Sequence, residues 1–227
     1  MPIGLKRLIL FAVLMLFLTG LEANVACAQS VAERVQAQYG AITSMRAEFT
    51  QTLVHRESGS REERNGVLSF AKPLLVRMET KTPSPELLLV GRDVIWNVFP
   101  EEEIAYKYAL SLARDSRSIV QVMTGQASLD KDFFIENQKE ENGLLVLDLY
   151  PKEPTLAMVE ARLWVAPKTN LIKKLRIFDF YGNENEMAFS RQEVNIAIPA
   201  SQFTYTPPKN FVVEDRTKDA ATAPGSM

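Results

Sequence analysis

Residues 66–80, "GVLSFAKPLLVRMET", carry the pattern from which the fold can be predicted. Leu68 and Phe70 share one side of an extended chain, and Val76 and Met78 continue the same parity beyond a break at Lys72-Pro73. Because side chains alternate between the two faces of a strand, this period of two predicts paired strands with one apolar face. The sequence places a cation, Lys72, at the corner of that apolar surface.

The same alternation extends along the chain on both sides of this stretch. Before residue 110, the predicted strands are "AEFTQTLV", "PELLLVG", "VIWNVF" and "IAYKY". After residue 132 they are "FFIEN", "LLVLDLYP", "VEARLWVAP", "LIKKLRIFDFYG" and "EMAFSRQEV", with "FTYTPPKNFVV" as a last strand and its exit. "SGSREERNG" is predicted to be a polar hairpin connection. Short strands joined by tight turns predict a mainly β fold with an antiparallel meander sheet, and a sheet of this size curls.

Helical patterns are few. Ser30 is a suitable N-cap for a first helix whose apolar stripe includes Val31, Val35 and Tyr39. "ALSLARDSRSIVQVMTG" predicts a second helix that ends at Gly125, and Ser128 is predicted to cap a further turn. These segments are the candidates to cover the concave side of a curled sheet.

The first 28 residues have the layout of a secretory signal peptide. Lys6 and Arg7 precede the apolar run "LILFAVLMLFL", and Ala26-Cys27-Ala28 matches an A-x-A exit. We predict cleavage after Ala28, which removes the single cysteine and with it any disulfide or thiolate site. The alternative is a lipoprotein whose first mature residue is an acylated Cys27. The lipoprotein pattern usually has Leu three positions earlier, whereas this chain has Asn24.

Charge and composition limit the function classes. The whole chain has a formal net charge of −2, and residues 1–28 hold two cations and one carboxylate, so the mature chain is one charge more negative. This balance argues against a nucleic-acid-binding protein. An apolar content of 46% is enough for a globular core. We predict one domain over residues 29–216 and a disordered tail over residues 217–227.

Sequence signals for catalysis or metal binding are weak. His55 is the only histidine and lies beside a polar connection, so a solvated loop residue is the simpler interpretation. "SLDK", residues 128–131, matches S-x-x-K but lacks the companion motifs of serine acylases. Residues 101–103 are three glutamates, which are typical of a solvated hairpin end. We therefore predict no catalytic residue, no metal site and no cofactor.

An apolar surface remains as the most informative feature. Its members lie on predicted strands with alternating faces: Leu68, Phe70, Val76, Met78, Trp96, Leu163, Val165, Leu175 and Ile177. Such a surface can be an ordinary packed core under the helices, or it can line an adaptable apolar pocket. The pattern of residues does not distinguish the two.

Five pieces of the mature chain resemble, in order, the LolA family of periplasmic outer-membrane lipoprotein carriers. They are "SMRAEFTQT", "NGVLSFAKPLLVRMET", "LLLVGRDVIWNVFP", "LWVAPKTNLIKKLRIFDFYGN" and "FTYTPPKNFVV". The resemblance covers nearly all of residues 30–216. It implies an incomplete antiparallel β-barrel with a helical lid over an apolar cavity, and it makes the nine apolar residues above the candidate cavity wall.

The resemblance also implies a function and partners. It implies a non-enzymatic, monomeric chaperone in the periplasm that binds the acyl chains of lipoproteins. Cargo would come from an inner-membrane ABC lipoprotein-releasing transporter and pass to an outer-membrane lipoprotein receptor. Two alternatives stay open: an outer-membrane receptor of the same fold anchored through Cys27, and a carrier of another lipid such as a glycolipid.

Lys72 departs from the family pattern. The resemblance places an arginine before this proline, where it hydrogen-bonds to the lid in the closed state. A lysine can hold one carbonyl but cannot make the planar clamp of a guanidinium. We expect Lys72 to be a lid latch weaker than arginine, and the alternative is a solvated turn lysine.

Overall fold

A computed structural model describes residues 29–112, 123 and 128–218. The helices that the structure describes in full are α1 (Val31–Ala41) and α2 (Leu129–Asp132), with 3-10 turns at Pro100–Glu102 and Ala200–Phe203. The strands are β1 (Ser44–Val54), β2 (Arg61–Ala71), β3 (Leu75–Thr82), β4 (Glu86–Val90), β5 (Val94–Phe99), β6 (Ile104–Ala109), β7 (Phe133–Glu141), β8 (Leu144–Pro151), β9 (Glu160–Val165), β10 (Ile172–Phe178), β11 (Glu184–Val194) and β12 (Val212–Arg216). The predicted signal peptide, most of the predicted second helix with Gly125, and the tail from residue 219 lie outside the described residues.

All twelve strands form one sheet in the order β12-β6-β5-β4-β3-β2-β1-β11-β10-β9-β8-β7, which confirms the predicted mainly β fold. Two meanders, β1–β6 and β7–β11, are joined where β1 pairs with β11. The predicted antiparallel pairing holds for every strand pair except β12–β6, which is parallel. After β11, residues 195–211 lead the chain back to the β6 edge of the sheet. Strand β12 therefore runs along that edge in the same direction as β6. The sheet is open, with β12 and β7 at its edges.

The stretch at residues 66–80 forms most of β2 and β3. Leu68 pairs with Met78 and Phe70 pairs with Val76, as the shared parity predicts. Two other boundaries differ from the prediction. Strand β2 begins at Arg61, because its ladder with β1 continues to the Val54–Arg61 pair, so "SGSREERNG" is largely strand. Most of "FTYTPPKNFVV" is irregular, and β12 begins only at Val212.

Gly66 is required by a close approach within this stretch. A Cβ atom at this position would lie 1.9 Å from the Glu79 carbonyl oxygen and 2.8 Å from a ring carbon of Phe49. The register between β2 and β3 shifts at the same point, between Asn65 and Gly66. Glycine thus lets the Phe49 ring cover the β2 backbone.

The main core lies on one face of the curved sheet. Residues from both halves of the sheet, including Phe70 of β2 and Leu163 of β9, belong to one buried cluster with Val35 and Tyr39 of α1. Because distant strands contribute to the same cluster as the helix, the sheet curves around this cluster, which we call the concave cluster. A second set of buried side chains, the convex cluster, lies on the opposite face: Leu87, Leu89, Trp96, Val98 and Ala105.

Helix α1 begins as predicted. The Ser30 hydroxyl accepts a hydrogen bond from the Glu33 N–H, and the Glu33 carboxylate accepts one from the Ser30 N–H, which completes a capping box. The similar prediction for Ser128 is wrong, since its side chain makes no capping bond to α2. There the Asp132 carboxylate accepts from the Ser128 N–H instead. This bond holds the Ser128 N–H itself, not a first-turn N–H that a serine cap would hold.

Candidate functional site

The concave face brings together eight of the nine apolar residues singled out from the sequence. Six of them are buried members of the concave cluster, and the other two, Met78 and Ile177, are partly buried and pack against it. In the ladder, Leu163 pairs with Leu175, and Leu68 pairs with Met78 on the other side of the curve. The set of eight is Leu68, Phe70, Val76, Met78, Leu163, Val165, Leu175 and Ile177. These side chains form a continuous apolar surface under α1.

Trp96 is the exception, and its assignment to this surface is wrong. It lies on the convex face, 9% exposed, and its ring packs edge-on against Tyr205 at 5.6 Å between centroids. In β5 the even-numbered residues face outward, whereas Ile95 faces the concave cluster. Nothing in the sequence of this strand marks its two faces, because Ile95 and Trp96 are both apolar and adjacent.

Lys72 contacts the end of α1 through two hydrogen bonds. Its Nζ donates to the Tyr39 carbonyl at 2.8 Å and to the Gly40 carbonyl at 2.6 Å. The last turn of α1 contains no basic residue of its own. Lys72 therefore places a cation at the negative end of the helix dipole and satisfies two carbonyl groups that the helix leaves free. The lysine holds two carbonyls, one more than expected.

Three further polar contacts attach α1 to the concave side. The buried Tyr39 hydroxyl accepts a hydrogen bond from the Ile172 N–H at 3.1 Å, and burial raises the pKa of this phenol. The Gln36 side-chain oxygen accepts from the Leu129 N–H at 3.0 Å, which links α1 to α2. Arg34 Nε donates to Asn170 Oδ1 at 3.3 Å. The helical spacing predicts that Tyr39 faces the core, but nothing in the sequence indicates the partner of its hydroxyl.

The outer face of β8–β11 differs, because charged side chains cover it. Asp148, only 2% exposed, accepts a hydrogen bond from Arg162, and Arg176 Nη2 donates to Glu186 at 2.5 Å. Lys174 Nζ lies 3.8 Å from the centroid of the Trp164 ring. Burial acts to raise the pKa of Glu186, but the hydrogen bond and charge of Arg176 outweigh it, so the pKa is lowered. This face is stabilised by ion pairs.

The candidate catalytic and metal-binding residues remain separate. His55 lies exposed after β1, and Ser128 precedes α2. Of the three exposed glutamates of residues 101–103, two lie in the 3-10 turn and Glu103 ends it. Within residues 29–112, 123 and 128–218, no group of three or more His, Cys, Asp or Glu side chains could hold a metal ion. The helices in those ranges are too short, or not apolar enough, to cross a membrane.

Comparison with known proteins agrees with this geometry. The family of outer membrane lipoprotein carrier proteins, LolA, matches residues 40–206. An outer-membrane lipoprotein carrier protein of Dechloromonas aromatica (strain RCB) is 26% identical over 166 residues, which cover 73% of this chain and 78% of that protein. One from Chromobacterium violaceum is 24% identical over 170 residues, covering 75% and 80%.

A solved structure supports the fold alone. The crystal structure of an uncharacterized conserved protein from Thermus thermophilus superposes with a TM-score of 0.53 at 14% identity. The superposition covers 82% of this chain and 97% of that one. With an open curved sheet, few helices and a family match over most of its length, the chain belongs to the LolA family of outer membrane lipoprotein carrier proteins.

Proposed function

We propose that this protein is a periplasmic chaperone that binds the acyl chains of lipoproteins and carries them between membranes without catalysis or a cofactor. The observation that carries the proposal is the continuous apolar concave face beneath a helix attached mainly through side chains. The names of its relatives, outer-membrane lipoprotein carrier proteins, support the same class of cargo. The proposed acyl-binding surface consists of the eight concave residues above, without Trp96.

The energetics of acyl transfer suit such a surface. Each buried CH₂ group contributes about 0.8 kcal/mol, so an exposed acyl chain partitions strongly into membranes. A carrier must offer a comparable apolar environment. In the structure the concave residues are largely buried, with α1 packed against them. Cargo binding therefore requires α1 to move, and burial of the acyl chains offsets the cost of that movement.

Lys72 acts in this proposal as the lid latch. Its two hydrogen bonds stabilise the closed, empty state relative to the open, loaded state. A closed state of moderate stability favours release, because α1 returns to the concave face as the acyl chains leave. Release then needs no ATP on the carrier itself.

Location and partners complete the proposed function. The signal peptide is cleaved after Ala28, and the mature protein works as a monomer in the periplasm. An inner-membrane ABC lipoprotein-releasing transporter loads it, and an outer-membrane lipoprotein receptor unloads it. Mass spectrometry of the mature N-terminus should find Gln29 as the first residue. An acylated Cys27 would instead support an anchored receptor.

A release assay tests the function. Inner-membrane vesicles that contain the transporter and a labelled lipoprotein are incubated with ATP and the purified chain, and soluble lipoprotein is measured after the vesicles are sedimented. We expect a soluble complex with the wild-type chain and less of it with Met78→Gln, which makes the concave surface polar. Lys81→Gln, an exposed change on the same strand, is the matched control. Failure of the wild-type chain to release any lipoprotein would contradict the proposal.

A further inference from the structure

The concave face changes from apolar to polar along its strands. The cross-strand row through Met45, Phe70, Val76, Val90 and Ile95 is entirely apolar. Two side-chain rows away from this apolar row on the same face, Thr80 pairs with Glu86. One row further in the same direction, Gln51 pairs with Arg64. With Asn97 of β5, these residues follow a diagonal line that we call the polar boundary: Gln51, Arg64, Thr80, Glu86 and Asn97.

Gln51 is the most deeply buried amide of this boundary. It is 7% exposed, lies two residues from Phe49 on the same face of β1, and pairs across the ladder with Met187. Its Nε2 donates to Asn185 Oδ1 at 2.9 Å. Its Oε1 is buried and has no hydrogen-bond partner among the described residues. The amide therefore presents a free acceptor beside the concave cluster.

Asn97 presents a second free acceptor at the other end of the boundary. It pairs with Leu88 and Tyr106, and both neighbours pack against the concave cluster, so Asn97 faces the same side. Its Oδ1 is buried and also without a partner in the part of the chain that the structure describes. Between the two amides, Arg64 donates to Glu86 Oε2 through Nη1 at 3.1 Å and to Glu62 Oε1 through Nε at 2.7 Å, so its charge is already compensated.

Two buried acceptors without donors are costly in an empty protein, because each has lost its hydrogen bonds to water. Apolar residues of similar size would avoid that cost. Local rules of this kind are broken chiefly at functional sites, where a ligand can supply the missing partner. We propose that the polar boundary binds the hydrogen-bond-donating head of the ligand whose acyl chains lie on the adjoining apolar surface. This inference rests on the proposed acyl-binding function.

The chemistry of the boundary selects the kind of head group. Amide oxygens accept hydrogen bonds only, so the ester groups of acylglycerols, which also only accept, do not match them. The N–H groups of an acylated cysteine and of the peptide that follows it do match. Sugar hydroxyl groups of a glycolipid are a second source of the same donors. An anionic head group finds no free cation at Arg64, because Glu62 and Glu86 are already paired with it.

The test uses the purified mature chain and synthetic N-acyl-S-diacylglyceryl-cysteine peptides, whose N-terminal nitrogen is an uncharged amide, with binding measured by displacement of a fluorescent fatty acid. One peptide carries its normal N–H groups, and a second is N-methylated at the acylated cysteine and the next residue. A glycolipid of equal chain length forms the third arm. The variants are Gln51→Met and Asn97→Leu, which keep side-chain size and remove the acceptor. Thr50→Val, on the opposite face of β1, is the matched control.

We expect the wild-type chain and Thr50→Val to bind the normal peptide roughly three- to tenfold more tightly than the methylated one. Gln51→Met and Asn97→Leu should each reduce that ratio toward one, mainly by weakening binding of the normal peptide. The midpoint of thermal unfolding of the empty Asn97→Leu variant should stay equal or rise, since an unpaired acceptor has been removed. A purely structural role for Asn97 predicts a lower midpoint instead.

Different outcomes distinguish the head-group subsite from the carrier function. If both peptides bind with equal affinity to the wild-type chain, the head-group inference is overturned while acyl binding stands. If neither peptide binds but the glycolipid does, with a loss in both variants, the subsite stands and the lipoprotein function falls. If no acylated ligand displaces the probe, both are overturned.

Discussion

The two apolar surfaces of the sheet are covered in different ways. On the concave side, α1 is attached through side chains, chiefly Lys72 and Tyr39. On the convex side, Tyr205 and Phe211 cover the Trp96 cluster, and the chain then continues directly into β12. Strand β12 pairs with β6 along its length, and Lys107 Nζ forms an ion pair with Asp215 at 2.9 Å.

This difference indicates which surface can open. Moving α1 away from the sheet breaks a few side-chain hydrogen bonds and exposes the concave cluster. Uncovering the convex cluster would also break a backbone ladder, which is a larger and more cooperative event. The concave surface is thus the one suited to exchange cargo, and the convex surface is a permanent second core. Substitutions on each face can separate these two roles. The largest loss of stability is expected from a substitution on the convex face.

Asp148→Ala should destabilise the protein most, because it removes a buried charge from the outer, convex side of β8–β11. The carboxylate of Asp148 is buried against Arg162, so its loss leaves a partly buried guanidinium without this partner. The free energy of unfolding should fall by about 3–5 kcal/mol. Urea denaturation measures this, with the exposed Glu136→Ala on the neighbouring strand as control. Equal stability of the two variants would show that the outer face is not held by this pair.

Lys72→Leu should affect only the attachment of α1 to the concave face. Removing a charged donor leaves the Tyr39 and Gly40 carbonyls without their partner, which should destabilise the closed state by about 1.5–3 kcal/mol. Hydrogen exchange of the α1 amides should accelerate, and transfer of bound lipoprotein to the receptor should slow, while global unfolding changes less. Lys72→Arg should keep α1 exchange at or below the wild-type rate and transfer at or above it, because a guanidinium also donates to both carbonyls. Unchanged exchange and unchanged transfer would remove Lys72 from the mechanism.

Tyr205→Leu should weaken the convex cover without affecting α1. The edge-on contact with Trp96 contributes about 0.5–1.5 kcal/mol beyond its apolar area. We expect a lower free energy of unfolding with hydrogen exchange in α1 unchanged. Tyr181→Leu, which alters an exposed ring, is the control. Faster exchange in α1 of the Tyr205 variant would mean that the two covers are coupled.

Glu186→Gln should reduce the acid sensitivity of the outer face. Arg176 lowers the folded-state pKa of Glu186 below its ordinary value of 4.5. Its stabilising contribution is therefore present above pH 4.5 and is lost as the pH falls through the lowered pKa. The variant should lose about 0.5 kcal/mol at pH 7 and show a smaller decrease in acid. The measurement is the midpoint of thermal unfolding at a series of pH values. If the variant and the wild-type chain show the same pH dependence, the Arg176–Glu186 pair does not contribute to acid sensitivity.

The part of the fold that depends on alternation could be predicted from the sequence. The shared face of Leu68, Phe70, Val76 and Met78 follows from period two alone, and the cap of α1 follows from Ser30 and Glu33. The face of Trp96 could not be predicted, because two large apolar residues are adjacent in β5, where both faces of the sheet are buried. Alternation cannot assign a face when both faces are apolar.

Long-range features were less accessible from the sequence. The parallel pairing of β12 with β6 depends on the path of residues 195–211, which contain no regular period. The free acceptors of Gln51 and Asn97 depend on the absence of a nearby donor in three dimensions among the described residues, which a linear pattern does not display. The family resemblance anticipated the Lys72 contact with α1, whereas the turn pattern alone left a solvated lysine equally plausible.

The most direct test compares photo-crosslinking from the two surfaces in cells. A photoreactive amino acid replaces Met78 on the concave face in one strain and Trp96 on the convex face in another. We predict lipoprotein adducts from position 78 after irradiation and none from position 96, at equal levels of carrier. Equal capture at both positions, or capture at position 96 alone, would contradict the claim that cargo lies beneath α1.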